Sequence, residues 1–200
     1  MVTELHTIAP EVLLTPDAGA TKALRGKVAV ITGGSRGIGA AIAHELGNQG
    51  AHLVLNYVHS SDRAGTLAQE LDDEGQSGAV LTVRADVAEE AQANRLMESV
   101  WDHFGRLDIL VNNAGITRDR TFRKMTSEEW RDVIETNLNG VFYATRAATP
   151  YLLEQQEGHV INIGSVIGMS GNVGQANYAA SKAALTGLTK SLAWSGHATT

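Results

Sequence analysis

The 200-residue sequence predicts a doubly wound α/β domain, a parallel sheet covered by helices on both faces in three α/β/α layers. Three observations predict it. From Gly26 onward, short β-branched apolar runs alternate with longer segments of helical apolar spacing. A glycine-rich stretch joins the first apolar run to the first helix. The 21 glycines against 3 prolines suit tight strand–helix turns and speak against a Pro-rich linker.

The elements follow in order. Lys27–Thr32 (KVAVIT) is the first strand, apolar as a strand buried on both faces must be. Ile38–Gln49 is a helix with Ile38, Ala41, Ile42 and Leu46 at helical spacing. His52–Tyr57 is the second strand, and Ser61–Glu74 a helix capped by Ser61. Ala79–Arg84 is the third strand, Glu89–Phe104 the third helix and Asp108–Val111 the fourth strand. Thr126 and Glu129 form a capping box that opens one long helix running to about Gln155. His159–Gly164 is a fifth strand and Asn177–Leu192 the final helix. The sequence shows no internal repeat and no low-complexity run.

Composition excludes several classes of function. At 43% hydrophobic and 19% charged residues, the chain reads as a soluble globular protein with a sizeable core. No apolar run approaches the roughly 20 residues of a membrane span, so no membrane insertion is expected. The absence of cysteine excludes disulfide scaffolds, thiolate metal sites and thiol nucleophiles. The histidines at 6, 44, 52, 59, 103, 159 and 197 show no metal-ligand spacing, and no metal is expected. A net charge of −6 argues against a general nucleic-acid binder. Residues 1–24 hold two of the three prolines, and Glu4, His6 and Glu11 interrupt any signal-like run. They read as a flexible extension, or alternatively as an arm that packs on a neighbouring subunit through Val12, Leu13 and Leu14. Residues 25–200 form the domain, and the cytoplasm is the default location.

The chemistry starts at the first strand–helix turn, Thr32-Gly33-Gly34-Ser35-Arg36-Gly37-Ile38-Gly39. Glycines let the backbone approach a phosphate, and the amides of the helix N-terminus point at it. Asn112-Asn113-Ala114-Gly115 follows the fourth strand, and Tyr178-Ala179-Ala180-Ser181-Lys182 lies in the last helix. Ser165 stands 13 positions before Tyr178, and Asn137 lies in the long helix. In this combination the chain resembles the short-chain dehydrogenase/reductase family, from Lys27 to about Ala193. The resemblance implies a Rossmann-type nucleotide-binding oxidoreductase with Asn137, Ser165, Tyr178 and Lys182 as its catalytic set. The cofactor contacts it implies are Gly33, Ser35, Arg36, Gly37, Ile38, Gly39, Asn56, Ser60, Asp86, Val87, Asn113, Ala114 and Gly115, with Tyr178 and Lys182. Asp86 reads equally as a cap for the helix that begins near Glu89.

The catalytic pattern also stands on general chemistry. Residues four apart on a helix share a face, with Cβ atoms about 5–6 Å apart, which makes Tyr178 and Lys182 neighbours. Free phenols titrate near pH 10. An ammonium about 5 Å away, at an effective dielectric near 20, favours the phenolate by roughly 3 kcal/mol. Ser165, at the carboxyl end of a strand, can donate to a substrate oxygen as hydride arrives at its carbon. Tyr178 then supplies the proton as general acid. The resemblance further implies that Lys182 holds the nicotinamide ribose and that Asn137 anchors a water in a proton relay.

Cofactor choice is read at the end of the second strand. Asn56-Tyr57-Val58-His59-Ser60-Ser61 lacks the carboxylate that holds the ribose 2′-hydroxyl of NAD. Arg36 can instead offer a guanidinium fork to a 2′-phosphate, with Ser60 or His59 assisting, so NADPH is the expected cofactor. Gly115-Ile116-Thr117-Arg118-Asp119 and Gly171-Asn172-Val173-Gly174-Gln175-Ala176-Asn177-Tyr178 look most like the 3-oxoacyl-thioester reductases. That likeness implies β-keto acyl substrates on acyl carrier protein or coenzyme A. A generic alcohol, sugar or steroid dehydrogenase and an inactive nucleotide-binding relative are the alternatives. The resemblance implies a homo-oligomer, a dimer or tetramer, through the long helix and the Tyr178 helix. It fades after Ala193, so the last two strands of the family are expected to be missing. The fifth strand would then be an apolar edge, with low solubility, weak cofactor binding and little turnover expected of residues 1–200.

Overall fold

The computed structural model of the chain describes residues 22–75 and 77–195. Most of the expected N-terminal extension, with its Val12–Leu14 segment, and the last five residues lie outside the described residues. Five parallel strands, β1 (Val28–Ile31), β2 (His52–Tyr57), β3 (Val80–Arg84), β4 (Ile109–Asn112) and β5 (His159–Asn162), form one sheet in the order β3–β2–β1–β4–β5. The order reverses at β1, which pairs with β2 on one side and β4 on the other. Loops leaving the carboxyl ends of β1 and β4 therefore diverge, and such a switch point opens a crevice for ligands.

Each face of the sheet carries its own core. Side chains alternate along a strand, so Ala29 and Ile31 face one way and Val28 and Val30 the other. On the first face, α1 (Gly37–Asn48) and α2 (Ser61–Asp73) bring Ala43, Leu67 and Leu71 against Ile31, Leu53 and Leu55. On the second, α3 (Glu90–Phe104) and α5 (Gly140–Gln155) bring Leu96, Met97, Val100, Ala144 and Ala148 against Val30, Val54 and Leu110. Fully burying each Val, Leu or Ile contributes about 1.5–3 kcal/mol. Two covered faces explain why β1 and β4 are apolar at nearly every position.

The expected long helix divides. α4 (Ser127–Ile134) begins with the expected capping box, in which Thr126 Oγ1 accepts from Glu129 N and Glu129 Oε2 accepts from Thr126 N. A wide π-type turn, Glu135–Asn139, follows before α5 resumes, and Gly140 N reaches back five residues to Glu135 O. The extra residue in this turn rotates Asn137 into the interior. Ser60, not Ser61, occupies the cap position of α2, and its hydroxyl makes no capping bond. Two short elements went unforeseen, a 3₁₀ turn at Phe122–Lys124 and α6 (Ile167–Ser170), which packs on α7 (Ala176–Ser195).

The amino end of the sheet is fastened by Asp108. Its carboxylate accepts from Val28 N at 2.8 Å and from Arg106 Nε and Nη2 at 2.8 and 2.6 Å, with Lys27 Nζ at 3.2 Å. Burial alone would raise this carboxyl, but the Arg106 guanidinium, the Val28 amide and Lys27 together hold it below the ordinary carboxylate range. Its contribution to stability is therefore complete above the unfolded value near pH 4 and is lost as pH falls through the lower folded value. Asp108→Asn is expected to cost about 1–3 kcal/mol at pH 7 in urea unfolding. The deficit against the wild type should shrink as the pH is lowered below about 4.

Candidate active site

Two motifs meet at the switch point as one bonded unit. Thr32 Oγ1 accepts from Asn113 N and Ala114 N, both at 3.0 Å, and donates to Val111 O at 3.3 Å. Asn113 Nδ2 returns bonds to Thr32 O and Gly33 O at 2.9 and 3.1 Å. A Cβ at Gly39 would lie 2.5 Å from Gly33 O and 2.6 Å from Asn113 Nδ2, so α1 starts hard against the turn only because residue 39 is glycine. Gly37 has φ +56°, and a Cβ there would meet nothing within 4 Å, so the N-terminus of α1 opens to solvent.

Asn56 lies beneath this turn. Its Oδ1 accepts from Gly33 N at 3.3 Å, and its Nδ2 donates to Ala85 O and Val83 O at 2.8 and 3.3 Å. Its side chain is buried and fully bonded inside the protein, where it shapes the glycine turn. Val87 is likewise a core residue, packed where a Cβ on Gly140 would lie 3.2 Å from its Cγ2. Asp86 Oδ1 accepts from Ala88 N at 3.0 Å, close to the capping alternative.

Beside the unit lies a cavity of about 440 Å³. It brings together Arg36, Ile38, Asn113, Gly115, Tyr178 and Lys182 from the expected set, and adds Ile116, Thr117, Arg118, Ile163 and Gly164. Gly33, Ser35, Gly37, Gly39, Asn56, Ser60, Asp86, Val87, Ala114, Asn137 and Ser165 do not line it. Lys182 is only 6% exposed; its Nζ donates to Ile163 O at 2.7 Å and stands 5.8 Å from the centre of the Tyr178 ring. Burial pushes this ammonium below the ordinary lysine range. Arg36 is exposed, and its guanidinium makes no hydrogen bond or ion pair among the described residues.

Ser165 and Asn137 adjoin lining residues, Ser165 next to Gly164 and Asn137 bonded to Ile116. Ser165 follows Gly164, and its Oγ accepts from Ile167 N at 3.2 Å, which leaves its proton free to donate elsewhere. Asn137 Oδ1 accepts from Ile116 N at 2.8 Å, while its Nδ2 donates to Ile116 O and Ser181 Oγ at 3.0 and 3.3 Å. Both its amide hydrogens are committed, so its side chain works by holding the cavity loop. Gly168 is a packing position that no sequence motif marks. A Cβ on it would lie 2.8 Å from Lys182 C and from Ala183 N, so α6 rests directly on the backbone of α7. That contact sets the turn bearing Ser165 against the helix bearing Tyr178. Gly168→Ala should push them apart and lower turnover roughly 10- to 100-fold, a cost typical of ångström-scale misplacement. Steady-state kinetics checks this, with circular dichroism to show that the fold is kept.

The family model of the short chain dehydrogenases matches residues 27–199. The chain is 46% identical over 167 residues to the 3-oxoacyl-[acyl-carrier-protein] reductase FabG of Staphylococcus aureus, which covers 84% of this chain and 67% of that protein. Identity to the 3-oxoacyl-[acyl-carrier-protein] reductase of a Synechocystis species is 46% over 171 residues, covering 86% and 68%. For FabG of Staphylococcus epidermidis it is 43% over 167 residues, covering 84% and 68%. The chain thus spans about two thirds of the length of these curated relatives. With the match running from β1 through α7, the chain belongs to the short-chain dehydrogenase family.

Proposed function

We propose that this chain carries the site of an NADPH-dependent reductase acting on the 3-keto group of an acyl thioester. The observation that carries the reading is the Tyr178–Lys182 pair facing the same cavity as the unpaired Arg36 and the glycine turn's partner Asn113. The residues present fit a phosphorylated dinucleotide. The open N-terminus of α1 over Gly37 suits a pyrophosphate, the free guanidinium of Arg36 suits a 2′-phosphate, and the cavity volume falls in the range of small-ligand sites.

When bound, reduced nicotinamide supplies hydride to the keto carbon. As negative charge gathers on the keto oxygen, the Ser165 hydroxyl donates a hydrogen bond to it. Tyr178 gives that oxygen its proton, and the product is the 3-hydroxyacyl thioester. Lys182, anchored on Ile163 O, faces the Tyr178 ring and stabilises the phenolate left behind. The names of the relatives support an acyl chain carried on acyl carrier protein. Trp130, Phe142 and Leu153, all exposed on α4 and α5, offer the apolar surface for a dimer or tetramer.

NADPH should bind more tightly than NADH in calorimetric titration, and Arg36→Ala should remove the preference; equal affinities in the wild type would contradict the cofactor reading. Tyr178→Phe should lower turnover of a 3-oxoacyl thioester by about 10²- to 10⁴-fold with NADPH affinity nearly intact, whereas Lys182→Ala should damage both. Retention of more than about a tenth of the activity in Tyr178→Phe would remove the tyrosine from its role. Parallel assays with acyl carrier protein and coenzyme A thioesters distinguish the carriers.

A further inference from the structure

We infer that Asn177 is a positioning residue that seats Tyr178 and locks the cavity loop to the helix carrying it; the inference rests on the reading of Tyr178 as proton donor. The first turn of any helix leaves backbone N–H groups without helical partners. In α7, Ala179 N reaches Gln175 O at 2.7 Å, but Tyr178 N is satisfied by the side chain beside it, Asn177 Oδ1, at 2.8 Å. The Nδ2 of the same side chain donates to Arg118 O and to Glu129 O, each at 3.0 Å. One amide with no solvent exposure therefore ties together the start of α7, the loop lining the cavity and α4.

The carbonyl of Tyr178 is held as well. It accepts from Ser181 Oγ at 2.8 Å, and Ser181 in turn accepts from Asn137, which grips Ile116. The cavity loop is thus bonded to the backbone of Tyr178 by two routes, through Arg118 and through Ile116. Only an amide meets the demands on residue 177, one acceptor toward Tyr178 and two donors toward carbonyls. A carboxylate keeps the acceptor but turns bare oxygen toward Arg118 O and Glu129 O, and a carboxylic acid restores one donor. Alanine removes the side-chain partner from all three backbone groups.

The test uses the whole chain and two variants. Asn177→Ala should quicken hydrogen exchange at the Tyr178 amide about tenfold relative to the Ala183 amide, the usual size for loss of one hydrogen bond. Its turnover should fall about 10- to 100-fold, with the KM for NADPH within about threefold of wild type. Asn177→Asp, nearly the same shape and so the safer variant to fold, should keep Tyr178 amide protection. It should lose turnover at pH 8 and regain it as the carboxyl takes up a proton at lower pH, a profile absent from the wild type. Unchanged relative exchange in Asn177→Ala, or an Asn177→Asp pH profile parallel to the wild type, would overturn the inference. Absence of both NADPH binding and turnover in the wild type would refute the reductase reading, and the amide exchange would then decide the role of Asn177 alone.

Discussion

The structure depends on the bonding of the carboxyl ends of β1 and β4 through Thr32. One buried hydroxyl holds the first two amides of the loop after β4, and Asn113 answers with bonds to the turn after β1. Two neighbouring strands whose connections run to opposite sides would otherwise leave a loose gap. Here the gap becomes a fixed crevice, with the glycine turn as one lip and the loop from Gly115 as the other. Everything the cavity presents is built outward from this tie: Arg36 on the α1 side, and Ile116 to Arg118 on the side facing α7.

Such a site is expensive in buried polar groups, and the cost is met by pairing nearly all of them. Asn112 Nδ2 donates to Thr145 Oγ1 and Asn162 Oδ1, and Asn162 Nδ2 donates to Thr189 Oγ1, which fastens α5 and α7 to the sheet. Asn112 Oδ1 is buried and has no partner among the described residues. Lys182 is a second concession, because its burial disfavours the charge that the proposed chemistry uses. Both lie within or next to the crevice, while the distant Asp108 cluster is fully bonded. Stability is given up where the proposed chemistry takes place.

The strands, the glycine turn and the Tyr178–Lys182 pair were legible in the sequence because each has a spacing that physics dictates. β1 had to be apolar on both faces, and residues 178 and 182 had to share a helical face. The π-type turn was not legible, since Thr126 to Gln155 keeps helical spacing and the rotation comes from tertiary bonds between Asn137 and Ile116. The inward bonds of Asn56 to Gly33 and Ala85 were not legible for a similar reason, because they are tertiary contacts that no spacing announces. The role of Asn177 was not legible because its partners are backbone groups, which any residue at 118, 129 or 178 supplies. Gly168, three residues beyond Ser165, carried a signal that only the close approach to Lys182 makes readable.

The most direct measurement is NADPH affinity in Thr32→Val, a change that keeps shape and removes the hydroxyl joining the two strand ends. Leaving the Asn113 and Ala114 amides without it costs about 1–3 kcal/mol and loosens both lips of the crevice. The dissociation constant for NADPH should rise about tenfold or more, with circular dichroism and the melting transition still showing a folded sheet. An unchanged affinity in a folded Thr32→Val protein would contradict the claim that the bonded ends of β1 and β4 build the site.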